Sequence, residues 1–276
     1  MIHNAMPIER INGLNLHYEL HGSDGEPLVF VHGYTGDVTD WRFQLPEFSR
    51  THRVLVMDHR GHGRSEALAD RDAYAILHMA DDVEALAAHV GFDRYHLLGH
   101  SMGGGVAQEI ALRSPGRLLS LTLEDTGHGF GFSRNATVAA YIAMRHQVAD
   151  EQGMAAVAAL PAVAPSPPHM PAERKSEEIA RLTRMSVDAF IGAWRGLEGW
   201  AGTKERAAAI AAPTMIVCGD LDQMLIEPSK HLASLIPNAE LEMIPEAGHS
   251  PQYERPELFN AALRRHLARN ATAAAK

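Results

Sequence analysis

The sequence predicts an α/β fold: a mostly parallel central sheet flanked by helices and interrupted once by a helical insertion. Short runs rich in Val, Ile and Leu alternate with segments of helical period, the pattern of crossovers onto a parallel sheet. Most of these runs are continuously apolar, as strands covered on both faces are. Between residues 127 and 204 the rhythm breaks: helical patterns continue without a convincing strand, and prolines recur.

In chain order, Ile8 to Arg10 and Leu16 to Leu20 flank Asn12-Gly13, a strong hairpin signal. Strands are then expected over Leu28 to Val31, Arg53 to Met57, Tyr95 to Leu98, Leu118 to Leu123, Pro213 to Cys218 and Ala239 to Ile244. The clearest helix carries Ile76, Met79, Val83, Leu86 and Val90 at steps of three and four, with Asp81, Asp82 and Glu84 on its other face. A second runs from Ser101 to about Arg113 and stops at Ser114-Pro115, because proline lacks the amide hydrogen and restricts the residue before it. The last spans about Pro256 to Arg269, presents Phe259, Leu263 and Leu267, and leaves an Ala-rich tail beyond Asn270 to fray. Within the insertion, Pro161, Pro165, Pro167, Pro168 and Pro171 predict a stiff, extended link. The chain thus divides into a core, residues 1–126 and 205–276, and a helical cap, residues 127–204.

A chain of 276 residues can bury a full core in one large domain. A net charge of -9 leaves no basic footprint for nucleic acid. No window reaches the roughly 18 apolar residues of a membrane span, and Met1 to Arg10 shows no basic stretch followed by an apolar run. The expectation is a cytoplasmic monomer or small homo-oligomer that meets a small molecule with an apolar part, and neither nucleic acid nor membrane. Cys218, the single cysteine, sits in the apolar run from Thr214 and reads as a small buried hydrophobe. Histidine occurs 17 times, yet there is no H-E-x-x-H and no Cys/His cluster, so no metal site is expected. Gly61-His62-Gly63 lacks the third glycine of a dinucleotide fingerprint, and no G-x-x-x-x-G-K-[ST] exists; no cofactor is expected.

The chemistry concentrates at strand ends. Tyr95-His96-Leu97-Leu98 runs into Gly99-His100-Ser101-Met102-Gly103-Gly104-Gly105 and then a helix, which is G-x-S-x-G in a strand-turn-helix setting. Side chains two before and two after the serine would collide with strand or helix, and Gly99 and Gly103 remove them. The turn lifts the Ser101 hydroxyl clear of the sheet edge. A hydroxyl is a poor nucleophile at neutral pH and needs a base that is neutral there. His249, in Gly248-His249-Ser250 after the last strand, is placed for that role. Asp222, in Gly219-Asp220-Leu221-Asp222 after the preceding strand, is placed to hold the imidazole in the productive tautomer. Asp125, after the strand ending near Leu123, is the rival acid, with lining the pocket or capping a turn as its other reading; Asp220 is expected to anchor its loop. Pre-aimed donors for a developing oxyanion should be the amides of Met102 and of Tyr34, in His32-Gly33-Tyr34-Thr35-Gly36, where Gly33 frees the backbone to bend.

With these residues in hand, the chain resembles the cap-bearing α/β-hydrolase superfamily over nearly its whole length. The resemblance rests on His32-Gly33, Asp58-His59-Arg60-Gly61-His62-Gly63-Arg64-Ser65, Gly99 to Gly104, Gly219 to Asp222 and Gly248 to Ser250. It implies that Asp58 and Arg60 are structural, and that serine at 101 departs from the dehalogenase and epoxide-hydrolase branches, which carry aspartate there. The usual proline after the acid is displaced to Pro228, which implies an atypical course for the loop after Asp222. The activity implied is that of a small-molecule esterase or enol-lactonase. Carbon-carbon bond hydrolysis on the same triad, and a ligand receptor built on the scaffold, remain alternatives. The cap should roof the site with residues among Phe130, Phe132, Tyr141, Met144, Phe190, Trp194 and Trp200. Phe190, Trp194 and Leu197 fall at helical spacing and read equally as packing; Tyr141 and Trp194 are the ones expected to touch substrate.

Overall fold

The protein is described here by a computed structural model covering residues 7–129, 136–161 and 168–272. Strands β1 (Ile8–Ile11) and β2 (Leu14–His21) form the opening hairpin, with Ile11 opposite Leu14. Asn12 and Gly13 turn between them at φ 49° and 83°, the paired left-handed conformations a two-residue hairpin requires. Strand β3 (Glu26–Val31), helix α1 (Leu45–Phe48), β4 (His52–Met57), α2 (Ile76–His89), β5 (Tyr95–His100), α3 (Met102–Arg113) and β6 (Leu118–Glu124) follow. Helices α4 (Ala136–Gln152), α5 (Met154–Ala158), α6 (Ala172–Arg184) and α7 (Val187–Glu198) then intervene. The chain returns to the sheet with β7 (Thr214–Gly219), α8 (Ile226–Leu235), β8 (Glu240–Ile244), α9 (Pro251–Glu254) and α10 (Pro256–Arg269). Strand order is β1-β2-β4-β3-β5-β6-β7-β8, parallel from β4 to β8.

Alternate residues of each central strand feed two cores. Val29, Val31, Leu55 and Leu97 pack against α2 and α3 on one face; Leu28, Phe30, Val54 and Leu98 meet Phe48, Phe259 and Leu263 on the other. Strand β8 departs from the expectation of burial on both faces: only Ile244 is buried. It is the sheet's edge, and Glu240 and Glu242 pair there with Arg269 and Arg265, charges that discourage further strand addition. Asp82 departs too. Expected on the solvent face of α2, it is fully buried, because Arg60 reaches it with two nitrogens at 2.7 and 2.9 Å. Asp58 accepts from the Val38 and Arg64 amides and from His17, so the turn carrying both residues is a structural knot.

The stripe expected on α7 splits between two cores. Ala189, Ala193 and Leu197 join the main core, whereas Phe190 and Ile191 join Ala149, Met154 and Val157 inside the insertion. Arg174 and Arg181 of α6 both reach Oδ1 of Asp40, at 2.7 and 2.5 Å, and all three side chains are buried. This ion triad ties the insertion to the loop after β3. Pro165 and Pro167 of the expected proline link, and the last residues of the Ala-rich tail, lie outside the described residues. No described helix is long and apolar enough to cross a membrane.

Candidate active site

The site forms where β3, β5, β7 and β8 end on one edge of the sheet. Ser101 sits between β5 and α3 at φ 54°, ψ -113°, a left-handed conformation costly for a residue with a Cβ. Surrounding bonds hold it there: the Ser101 amide donates to the Glu124 carbonyl at 2.8 Å, and the Thr126 hydroxyl donates to the Ser101 carbonyl at 3.0 Å. A Cβ at Gly99 would lie 2.2 Å from the Gly103 carbonyl oxygen, and one at Gly103 would lie 2.4 Å from that of Val31. Glycine at both positions is therefore a steric condition of the turn.

His249 Nε2 lies 3.0 Å from Ser101 Oγ, and its Nδ1 lies 2.6 Å from Asp222 Oδ2. The three residues come from three separate strand ends, 148 and 27 residues apart along the chain. Asp222 is buried, while the imidazole opens toward a cavity. The His249 loop is pinned from both sides. His100 Nε2 donates to the His249 carbonyl at 2.7 Å, and Glu254 accepts from the Gly248 and Ser250 amides at 2.6 and 3.0 Å. Burial works against a charged His249, but the hydrogen bond and charge of Asp222 outweigh it and raise its pKa above the ordinary 6.5. For Asp222 burial raises the pKa, and His249 overrides this to hold it below the usual carboxylate value. His100 goes the other way: burial and then the nearby His249 push it down to about 3, so it is neutral and donates from Nε2.

Asp125 is fully buried and is not part of the cavity wall, so of its two other readings, lining the pocket and capping a turn, the geometry is that of the second. Its backbone adopts φ 39°, and its Oδ1 accepts the Gly219 amide at 3.1 Å, which turns it beneath the end of β7. Burial first, then the charge of Asp222, raise its pKa well above the carboxylate range. Of the rival acids, Asp222 is thus the one bonded to the imidazole. One ligating atom each from Asp125, Asp222 and His249 fall within 4.8 Å of one another, and the His249–Asp222 hydrogen bond joins two of the three. Asp220 accepts the Glu246 amide at 2.7 Å, anchoring its loop as expected. After Asp222 the chain turns directly into α8, where the Leu225 and Ile226 amides both reach the Asp222 carbonyl at 3.0 Å, and Pro228 sits in the first turn of that helix.

The cavity, of about 290 Å³, is walled by Ser101 and His249 together with Gly33, Tyr34, Tyr141 and Trp194. Tyr34 anchors the loop after β3: its hydroxyl donates to the Phe190 carbonyl at 2.8 Å, and its ring meets those of Phe190 and Trp194. Among the described residues no protein group accepts from the Tyr34 or Met102 amide. A Cβ at Gly33 would stand 3.1 Å from that of Ser101, so glycine there leaves space beside the hydroxyl. Phe190 packs in the insertion's own core. Trp200 lies elsewhere, donating to Glu109 at 2.7 Å, and Phe130 and Phe132 lie outside the described residues. Sequence reasoning did not find His100, Glu254 or the charged wall formed by Arg145, Arg174 and Arg181. The only signal for Arg145 was its place four residues after Tyr141, on one helix face.

The profile of the α/β hydrolase fold family matches residues 26–256. RutD of Variovorax paradoxus, provisionally named a carbamate hydrolase, is 32% identical over 92% of this chain and 96% of its own length. The dihydrolipoyllysine-residue acetyltransferase component of the acetoin cleaving system of Pseudomonas putida is 32% identical over 90% of this chain, which spans 66% of that relative's length. A thermophilic esterase from Thermogutta terrifontis superposes with a TM-score of 0.83 at 25% identity, covering 98% of this chain and 100% of the esterase. By sequence and fold together, the chain belongs to the α/β-hydrolase family and is an enzyme of the hydrolase kind.

Proposed function

We propose that the protein hydrolyses a small carboxylic ester or lactone through an acyl-enzyme on Ser101. The observation that carries this reading is the continuous relay from Ser101 Oγ to His249 Nε2 at 3.0 Å and from Nδ1 to Asp222 at 2.6 Å. With Nδ1–H donating to Asp222, Nε2 keeps its lone pair for the serine proton. As Oγ bonds to the substrate carbonyl carbon, its proton passes to Nε2 and the carbonyl oxygen takes the negative charge. The Met102 amide, at the start of α3, and the Tyr34 amide receive that oxygen; a donor of this kind is worth roughly a hundred- to a thousand-fold in rate. The imidazolium then protonates the leaving alkoxide as the carbon-oxygen bond breaks. Water attacks the acyl-enzyme with His249 again as base, restoring the serine.

Asp222 serves as the triad acid, and Asp125 as a neutral neighbour. The insertion, residues 127–204, serves as the cap: α4 and α7 carry Tyr141 and Trp194 over the site and screen it from water. The names of similar proteins point the same way, since an esterase and a carbamate hydrolase both work on an acyl carbonyl.

The test is a panel of p-nitrophenyl esters and aryl lactones with purified wild type, Ser101→Ala and His249→Ala. Turnover by wild type and its near-abolition in both variants, with unchanged circular dichroism, is expected. Ester hydrolysis surviving intact in Ser101→Ala would overturn the reading.

A further inference from the structure

Three arginines, Arg145, Arg174 and Arg181, face the cavity, and their charges are balanced differently. Arg174 and Arg181 converge on Asp40, at 2.7 and 2.5 Å; Arg174 also meets Glu178 at 2.9 Å, and Arg181 lies 3.6 Å from Asp37. Their positive charge is consumed within the protein. Arg145 differs. Every Asp and Glu of the chain lies among the described residues, and none comes within ion-pair distance of Arg145. Its guanidinium lies over the rings of Phe190 and Tyr141, at 5.1 and 5.7 Å from their centroids. Its Nε, like that of Arg181, is buried without a hydrogen-bond partner, but Arg145 has no carboxylate to balance it. A desolvated guanidinium N–H left unpaired is costly, and its fork of parallel donors matches the geometry of a carboxylate.

Helix α4 sets the context. Val138, Tyr141, Ile142 and Arg145 all line the cavity, at steps of three, one and three, and so share one helix face. That face is apolar over its first turn and ends in the cation. Given the proposed ester or lactone hydrolysis, on which this step rests, we infer that Arg145 docks a carboxylate carried by the substrate. The substrate class is a half-ester of a dicarboxylic acid, or a lactone bearing a carboxylate arm, with a short apolar spacer lying along Val138 and Ile142. Arg145 is a specificity determinant and takes no part in bond breaking.

Two p-nitrophenyl esters of glutaric acid test this, one with a free carboxylate and one capped as the methyl ester. Wild type should prefer the free acid in kcat/KM. Arg145→Met should lower kcat/KM for the free acid roughly 10- to 100-fold, chiefly through KM, as expected for losing a charge-assisted hydrogen bond. The capped ester should change by less than about threefold, and Arg145→Lys should recover part of the loss. Equal rates for both esters in wild type, or equal losses on both in Arg145→Met, would overturn the inference. Calorimetric titration of glutarate into Ser101→Ala separates the two readings, because it reports docking without turnover. Glutarate binding that disappears in Ser101→Ala/Arg145→Met sustains the carboxylate site even if neither ester is hydrolysed; binding unaffected by Arg145→Met, or absent from Ser101→Ala itself, refutes it.

Discussion

Exchanging each of the two buried carboxylates for its amide, one at a time, separates their roles by orders of magnitude. In Asp222→Asn the acceptor 2.6 Å from His249 Nδ1 is replaced by a group that can donate. An amide N–H there favours the tautomer with a bare Nδ1 and places the ring proton on Nε2, facing Ser101 Oγ, so the base is already occupied. The template for this change in a Ser-His-Asp site is a loss of roughly 10⁴ in kcat, about 5.4 kcal/mol at 1.36 kcal/mol per tenfold. Asp125→Asn is a far smaller change. Burial and the charge of Asp222 raise the pKa of Asp125 well above the carboxylate range, which favours its neutral form, and the amide is a neutral group of almost the same shape. Its oxygen can still accept the Gly219 amide now held at 3.1 Å, and the remaining difference is one hydrogen bond at most, about 1 kcal/mol or less than tenfold in rate. Steady-state kcat and KM on p-nitrophenyl acetate, with thermal melts to confirm folding, measure both variants. A loss near 10⁴ in Asp125→Asn with a mild effect in Asp222→Asn would refute the assignment and pass the acid's role to Asp125.

The pH profile follows from the raised pKa of His249: the base is active only when neutral, so kcat/KM should rise with pH through a midpoint above 6.5 and then level; a rise centred below 6.5 would contradict the stabilising pairing with Asp222. Asp40→Asn should cost about 3 kcal/mol in urea unfolding at pH 7, because Arg174 and Arg181 lose the buried carboxylate they share and keep only Glu178 and Asp37. Against burial, those two arginines depress the folded-state pKa of Asp40 below its unfolded value of 3.8, so this stability is present above pH 3.8 and is lost only as pH falls toward the folded value; a deficit already vanishing at pH 6 would count against the triad. Gly103→Ala should destabilise by about 1–3 kcal/mol and displace the nucleophile, since its methyl would press on the backbone oxygens of Val31 and His32, whereas Gly116→Ala, open on all sides, should leave both melting and activity unchanged.

Features set by neighbours in the chain were legible before any coordinates. Asn12-Gly13 marked its hairpin because only the local backbone decides that turn. Gly99 and Gly103 marked the nucleophile because the clash they avoid lies within the turn itself and the adjoining end of β3. Features set by distant partners were not. Asp82 reads as a surface acid until Arg60, 22 residues away, is folded against it. The choice between Asp125 and Asp222 stayed open because both follow strands at one edge, and only the path of each loop decides which oxygen reaches Nδ1. Trp200 looked like a roof residue but donates to Glu109 of α3. The charge of Arg145 was visible as a residue type, but its lack of a carboxylate partner is a property of the whole fold.

Acyl transfer forms a covalent bond at the Ser101 oxygen, and that bond can be trapped. Wild type mixed with excess p-nitrophenyl acetate and acid-quenched within milliseconds should release a burst of about one p-nitrophenol per chain. Peptide mass spectrometry should then place the acetyl group on Ser101, with neither burst nor adduct in Ser101→Ala. A full burst in Ser101→Ala, or an acetyl group mapped to a different residue while Ser101 stays unmodified, would rule out Ser101 as the nucleophile.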